Sequence, residues 1–126
     1  MSESLLDESG LPQGYPFRDG WEVTPRQVKA MAEDGEDFVL LDCREPREYH
    51  VAHIAGSQLL PLSEAAERLS ELEAYRGRKV VVHCHHGGRS LRMAAMLRQQ
   101  GFEDVTSMAG GIDLWAIDID SSLPRY

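Results

Sequence analysis

Two short apolar runs constrain this chain more than anything else in it. Residues 38–43 (Phe38-Val39-Leu40-Leu41-Asp42-Cys43) and 79–83 (Lys79-Val80-Val81-Val82-His83) are strand-length and lack the alternation of a half-exposed strand. An unalternating run needs cover on both faces, which is the environment of an inner strand in a parallel sheet. Neighbouring parallel strands cannot be joined by a tight hairpin, so the intervening segments have to cross over, usually as helices.

The rest of the chain fits that demand. Trp21-Glu22-Val23 reads as a short strand, and Thr24-Pro25-Arg26-Gln27 as a helix start. Thr24 is the N-cap there, Pro25 takes the first helical position and Gln27 completes a capping box. This helix is expected to end near Asp34-Gly35. Glu45-Pro46 opens a short helix to about His50, and residues 57–60 form a short strand. Ser63 is expected to cap a helix running to about Tyr75, with Ala65, Ala66, Leu69 and Leu72 as its apolar stripe. Residues 90–100 form a helix with Leu91, Ala94, Ala95 and Leu97 inward, stopped by Gly101. A strand over 104–107 and a helix over 111–118 complete the pattern. Alternating strands and helices predict an α/β fold with a mainly parallel sheet, whose ligand sites lie at the carboxyl ends of strands. Residues 1–19 carry Gly10, Pro12, Gly14 and Pro16 and read as an irregular arm held by Tyr15 and Phe17. The domain is expected to span 20–120, with a tail over 121–126.

Chemistry concentrates in Cys84-His85-His86-Gly87-Gly88-Arg89-Ser90, between the second apolar run and a helix. A cysteine on a strand-to-helix loop faces free backbone N–H groups and the positive end of the helix dipole. Both favour thiolate, the reactive form. Gly87 and Gly88 let the loop curl so that amides converge, and Arg89 adds a permanent positive charge. Cys84 is therefore the candidate nucleophile. Its pKa is expected to fall from ~8.5 towards roughly 6–7 through the loop amides and Arg89. His85, His86, Gly87, Gly88, Arg89 and Ser90 are the candidate substrate-binding residues, Arg89 for an anionic donor. Asp42 and Arg44 end the neighbouring strand and are supporting candidates, bracing the loops by hydrogen bonds and ion pairing.

Other readings are structural. Four consecutive residues (His83 to His86) chelate one ion poorly and no spaced pair accompanies them, so no metal is expected. Cys43 reads as a core residue, with a resolving thiol against Cys84 as the alternative. His53, Gly110, Gly111 and Trp115 read as turn and packing residues, as do Met93, Met96 and Met108.

A net charge of -8 argues against nucleic acid or anionic membrane as partner. No apolar run approaches the ~20 residues of a membrane span, and the first residues lack the features of a secretory signal. Two cysteines make no disulfide framework. These features predict a cytoplasmic location.

Three segments resemble the single-domain rhodaneses, which are sulfurtransferases. Cys84-x-x-Gly87-x-Arg89-Ser90 is similar to the family's active-site loop. Asp42-Cys43-Arg44-Glu45-Pro46-Arg47-Glu48-Tyr49, followed by His53-Ile54-Ala55-Gly56-Ser57, resembles its N-terminal signature. Gly110-Gly111-Ile112-Asp113-Leu114-Trp115 resembles its C-terminal one. Ala52, Ala55 and Ser57 depart from the usual residues of the second segment, outside the cysteine loop. The resemblance implies a rhodanese-like fold: a five-stranded, mainly parallel sheet flanked by helices on both faces. It implies sulfur transfer through a Cys84 persulfide, from a thiosulfate-like donor to a thiol, cyanide or protein acceptor, without a cofactor. A phosphatase or arsenate reductase is the weaker reading, because such loops hold five residues between cysteine and arginine and this one holds four. A non-catalytic binding module is the other alternative.

Overall fold

The computed structural model describes residues 6–126; the first five residues of the expected arm lie outside the described residues. Five strands form one all-parallel sheet: β1 (Glu22–Val23), β2 (Val39–Asp42), β3 (Gln58–Leu59), β4 (Val80–His83) and β5 (Val105–Met108), in the order β1-β5-β4-β2-β3. The two apolar runs are β2 and β4, adjacent at the centre, with Asp42 opposite His83.

Helices cover both faces: α1 (Pro25–Glu33), α2 (Pro46–Val51), α3 (Leu62–Ala65), α4 (Gly88–Gln99) and α5 (Gly111–Asp118). The period-two alternation of a strand sorts the core. Val39, Leu41, Cys43, Val80, Val82, Cys84 and Val105 pack against α3 and α4 through Ala65, Met93, Ala94 and Leu97. Leu40, Val81 and Met108 face α1 and α5, meeting Val28, Ile112 and Trp115. Thr24 caps α1 with the full reciprocal box, its hydroxyl accepting from Gln27 N–H while Gln27 accepts from Thr24 N–H.

Two expectations need correction. The helix expected from Ser63 to Tyr75 is two pieces, α3 and a 3₁₀ segment at Leu69–Tyr75. Ser63 caps nothing; its hydroxyl donates to Glu45 Oε2 at 2.8 Å. Leu69, Leu72 and Tyr75 recur every third residue, so one face of a three-residue-per-turn helix puts all three on the core. The inward face of α4 is also rotated. Ser90, Met93, Ala94 and Leu97 are buried, whereas Leu91 and Ala95 are only half-buried. Ser90 sets this phase because its side chain is held beneath the cysteine loop.

The described part of the arm packs Tyr15 and Phe17 against Leu11, Ala109 and Leu114. No helix among the described residues is long and apolar enough to cross a membrane.

Candidate active site

Cys84 follows the last residue of β4, and Gly87, in the left-handed region at φ 113°, is the N-cap of α4. The turn brings the helix N-terminus back over the sulfur. Gly87 N–H donates to Cys84 Sγ at 3.0 Å and Ser90 N–H at 3.4 Å. The sulfur thus fills the place of a side-chain oxygen at an ordinary N-cap. Ser90 Oγ lies 3.4 Å from the sulfur, 3.1 Å from Gly87 O and 2.7 Å from Ser107 Oγ. The N–H groups of Gly88 and Arg89 stand at the first two helical positions and cannot bond within α4. The carbonyls of Cys84 and His85 are taken by Ile112 and Asp113 N–H of α5, at 2.9 and 3.1 Å.

This last pair explains Gly111. A Cβ there would lie 2.5 Å from Cys84 O and 2.4 Å from His85 O, and its φ is +60°. Only glycine lets α5 approach the loop so closely.

Cys84 is 1% exposed, yet its thiol is acidic, lowered to about 4. The Cys43 thiol beside it is the largest cause, opposed by burial and helped by the Ser90 hydroxyl and the Ser90 and Gly87 amides. The lowering has the expected direction and goes beyond the expected range of 6–7; the loop amides contribute as expected, and the Arg89 charge is coupled to the sulfur as well. Cys43 reaches the sulfur through strand register. Asp42 pairs with His83, Cys43 N–H continues the ladder to His83 O at 3.0 Å, and the next residues along, Cys43 and Cys84, stand side by side. The Cys43 thiol itself is pushed far up, by the neighbouring Cys84 sulfur and by burial.

The Arg89 guanidinium bonds to a carboxylate and not to the sulfur. Its two terminal nitrogens form a fork on Glu48, at 2.7 and 2.9 Å. Arg89 holds the Glu48 carboxyl down at about 2, with the Glu45 amide and the Tyr126 hydroxyl adding to the effect against burial. Tyr126 OH donates to Glu48 Oε2 and accepts from Arg44 Nη1, both at 2.8 Å. Arg44 is wholly buried, its Nε and Nη2 on the equally buried Asp42 and its Nη2 also on Ala52 O. One network therefore runs Asp42–Arg44–Tyr126–Glu48–Arg89 along the loop.

His85 is sandwiched between Tyr126, at 4.0 Å, and His86, at 3.9 Å. Burial, then His86, lowers its pKa, which favours the neutral ring. Arg125 ties the tail to Asp113, and His86 Nε2 lies 3.6 Å from the same carboxylate. His85, His86 and Asp113 bring ligand-type atoms within 4.8 Å of one another. Both Asp113 oxygens are already on Arg125 and the two imidazoles are stacked, so their lone pairs do not converge, and a metal fits poorly. His83 is wholly buried, without a hydrogen-bond partner for either ring nitrogen, and burial lowers its pKa.

All the candidate residues thus gather at the carboxyl ends of β2 and β4. Sequence reasoning weighed Cys43 against Cys84 only as the alternative to a core role, and missed the carboxylate that takes Arg89, the serine beneath the loop (Ser107) and Tyr126. The signature stretch holding Glu48 was the only available signal for any of these.

The comparisons with known proteins bear on family and fold. The family model for the rhodanese-like domain matches residues 24–118. The maize "Adenylyltransferase and sulfurtransferase MOCS3-1" is 32% identical over 131 residues, covering all of this chain and 28% of that protein. The "Thiosulfate sulfurtransferase GlpE" of Pseudomonas fluorescens is 40% identical over 95 residues, covering 74% of this chain and 82% of its own length. The chain thus spans about a quarter of the maize protein and most of the bacterial one. A rhodanese-related protein from Thermoplasma volcanium superposes with a TM-score of 0.69 at 31% identity, covering 82% of this chain and 95% of that one.

Proposed function

This chain belongs to the rhodanese-like domain family, and on that premise we propose that it is a sulfurtransferase carrying sulfane sulfur as a Cys84 persulfide. The observation that carries the reading is the cradle itself. Gly87 and Ser90 amides hold Sγ as an anion, while the Gly88 and Arg89 amides are left at a helix N-terminus for a second anionic atom.

The Cys84 thiolate attacks the outer sulfur of a donor such as thiosulfate. A bond forms between Sγ and that sulfur, the donor's S–S bond breaks, and sulfite leaves with the electron pair. The terminal sulfur keeps one negative charge and lies among the amides. A thiophilic acceptor (cyanide, a thiol or a protein) then attacks that sulfur, and the Cys84 thiolate is restored. Dividing one transfer between two displacements gives ping-pong kinetics. Main-chain dipoles and the side chains of Cys43 and Ser90 hold the Cys84 sulfur as an anion, and neither step calls for a metal or organic cofactor. A thiosulfate-like donor and a cytoplasmic setting fit this reading.

Intact mass after incubation with thiosulfate tests it. A gain of one sulfur, ~32 Da, is expected in the native chain, absent from Cys84→Ser and removed by cyanide. A native chain that gains no mass from thiosulfate or from an alternative persulfide donor rejects the proposal in favour of a binding module.

A further inference from the structure

Twenty-one acidic residues face thirteen basic ones in this chain, and most arginines sit on a carboxylate. Among the described residues, the side chains of Arg18, Arg47, Arg92 and Arg98 have no carboxylate partner, although the Arg18 main-chain N–H donates to Glu22 Oε1 at 2.8 Å. Three of these four meet at one place. Arg18, Trp21, Leu91, Arg92 and Ala95 line an open groove of about 380 Å³, with no acidic residue among them. Arg98 stacks 3.8 Å from the Trp21 ring and donates to Val105 O and Gly20 O, which fixes the indole as the groove's floor. Trp21 is among the most exposed large apolar side chains described, at 37%.

The groove has a definite relation to the sulfur. Leu91, Arg92 and Ala95 lie on the outer side of α4, the helix whose Ser90 N–H reaches Cys84. Leu91 N–H closes the first turn onto Gly87 O. Ala95 is seven residues beyond Gly88, which along a helix is about 10 Å. Tyr15, on the arm that carries Arg18, bonds to the Gly110 N–H through its hydroxyl, beside Gly87. The groove therefore lies between the arm and the outer side of α4, and Leu91, one residue after Ser90, is the lining residue nearest in sequence to the cysteine loop.

We infer that this groove docks the protein that accepts the persulfide sulfur, through a segment of that partner bearing acidic side chains around an aliphatic or aromatic anchor. This rests on the sulfur-transfer reading above and adds the class of acceptor. An apolar floor flanked by two guanidinium groups, on a chain of net charge -8, attracts such a segment locally and repels acidic surfaces elsewhere. A docked segment brings a cysteine thiolate to the loop. That thiolate attacks the outer persulfide sulfur, the bond from Cys84 Sγ to it breaks, Cys84 leaves as thiolate, and the partner carries the persulfide.

The test uses a fluorescein-labelled peptide of alternating aspartate and leucine ending in cysteine, with a lysine-for-aspartate version and a single-stranded RNA as controls. Fluorescence anisotropy on the full chain reads binding independently of Cys84 chemistry. The acidic peptide is expected to bind best, to weaken with added salt, and to lose about tenfold or more in affinity to R18E/R92E. The persulfide-loaded native chain is expected to pass its sulfur to the acidic peptide about tenfold faster than R18E/R92E does, while transfer to cyanide stays within about twofold. Equal binding of the acidic and basic peptides, indifference to charge reversal, or preferential binding of the RNA would overturn the inference and leave the persulfide untouched. Binding that behaves as expected on a chain that never gains sulfur would instead reject the sulfurtransferase reading.

Discussion

At the scale of single residues, the site depends on which groups touch one sulfur atom. With the thiol lowered to about 4, the reactive anion is present above that pH and is lost as pH falls through it. The rate of persulfide formation is therefore expected to be flat from about pH 6 to 8 and to fall in acid; a stopped-flow or quenched mass assay across pH reads this. A midpoint near the ordinary thiol value would contradict the geometry. Cys43→Ala removes the largest cause of the lowering, so its midpoint is expected to move upward. Ser90→Ala removes the hydroxyl 3.4 Å from Sγ and leaves Ser107 without its partner. A loading rate about tenfold lower, equivalent to ~1.4 kcal/mol, is expected, with the amides still in place.

At the scale of elements, the loop is held by its neighbours more than by itself. The N-terminus of α5 grips the Cys84 and His85 carbonyls, and Gly111 makes that contact possible. Gly111→Ala combines a left-handed φ with contacts far inside van der Waals distance of backbone atoms. It is expected to destabilise the fold by about 2–4 kcal/mol, read as a lower urea midpoint with an unchanged m-value. The tail works from the other side, where Tyr126 joins Arg44, Glu48 and the His85 ring. Tyr126→Phe keeps the stack and removes the hydroxyl. A loss of about 1–2 kcal/mol is expected in the same titration, and a further loss in Tyr126→Ala, where the His85 face is also bared.

At the scale of the whole molecule, the central strands and the site share a buried charge pair. Arg44→Met leaves Asp42 charged and unpaired beneath the sheet's carboxyl edge, and about 3–5 kcal/mol of stability is expected to go with it. Acid acts on the same region. Glu48 has its carboxyl lowered from 4.5 to about 2 in the folded chain. The stabilisation from this shift is complete above the unfolded value and is lost as pH falls through the folded one. The native chain is expected to lose thermal stability between about pH 4.5 and 2 more steeply than Glu48→Gln, which has no carboxyl to protonate. Parallel slopes in calorimetry would show that the Arg89–Glu48 pair is not what acid breaks.

Much of this was legible in the residues alone, because local physics writes local patterns. The two unalternating runs imply strands covered on both faces, and Thr24-Pro25-Arg26-Gln27 marks a helix start whatever surrounds it. A cysteine before two glycines at a helix entrance implies an anion cradle, since the N–H groups involved come from the same few residues. The break after α3 was not legible, because the pattern at Leu69, Leu72 and Tyr75 suits an α-helix or a tighter one until the core beneath it is known. Nor was the partner of Arg89, since 41 residues separate it from Glu48 and only the packing of α2 beside the loop joins them. Cys43 reads from sequence as a core residue or as a resolving thiol, and strand register is what sets it beside Cys84. Tyr126 read as tail until the fold carried it onto His85. Sequence determined the two central strands and the glycine loop that carries Cys84; the tertiary structure decided which distant groups surround its sulfur, because pairing across a sheet and packing between helices join residues that no spacing along the chain connects.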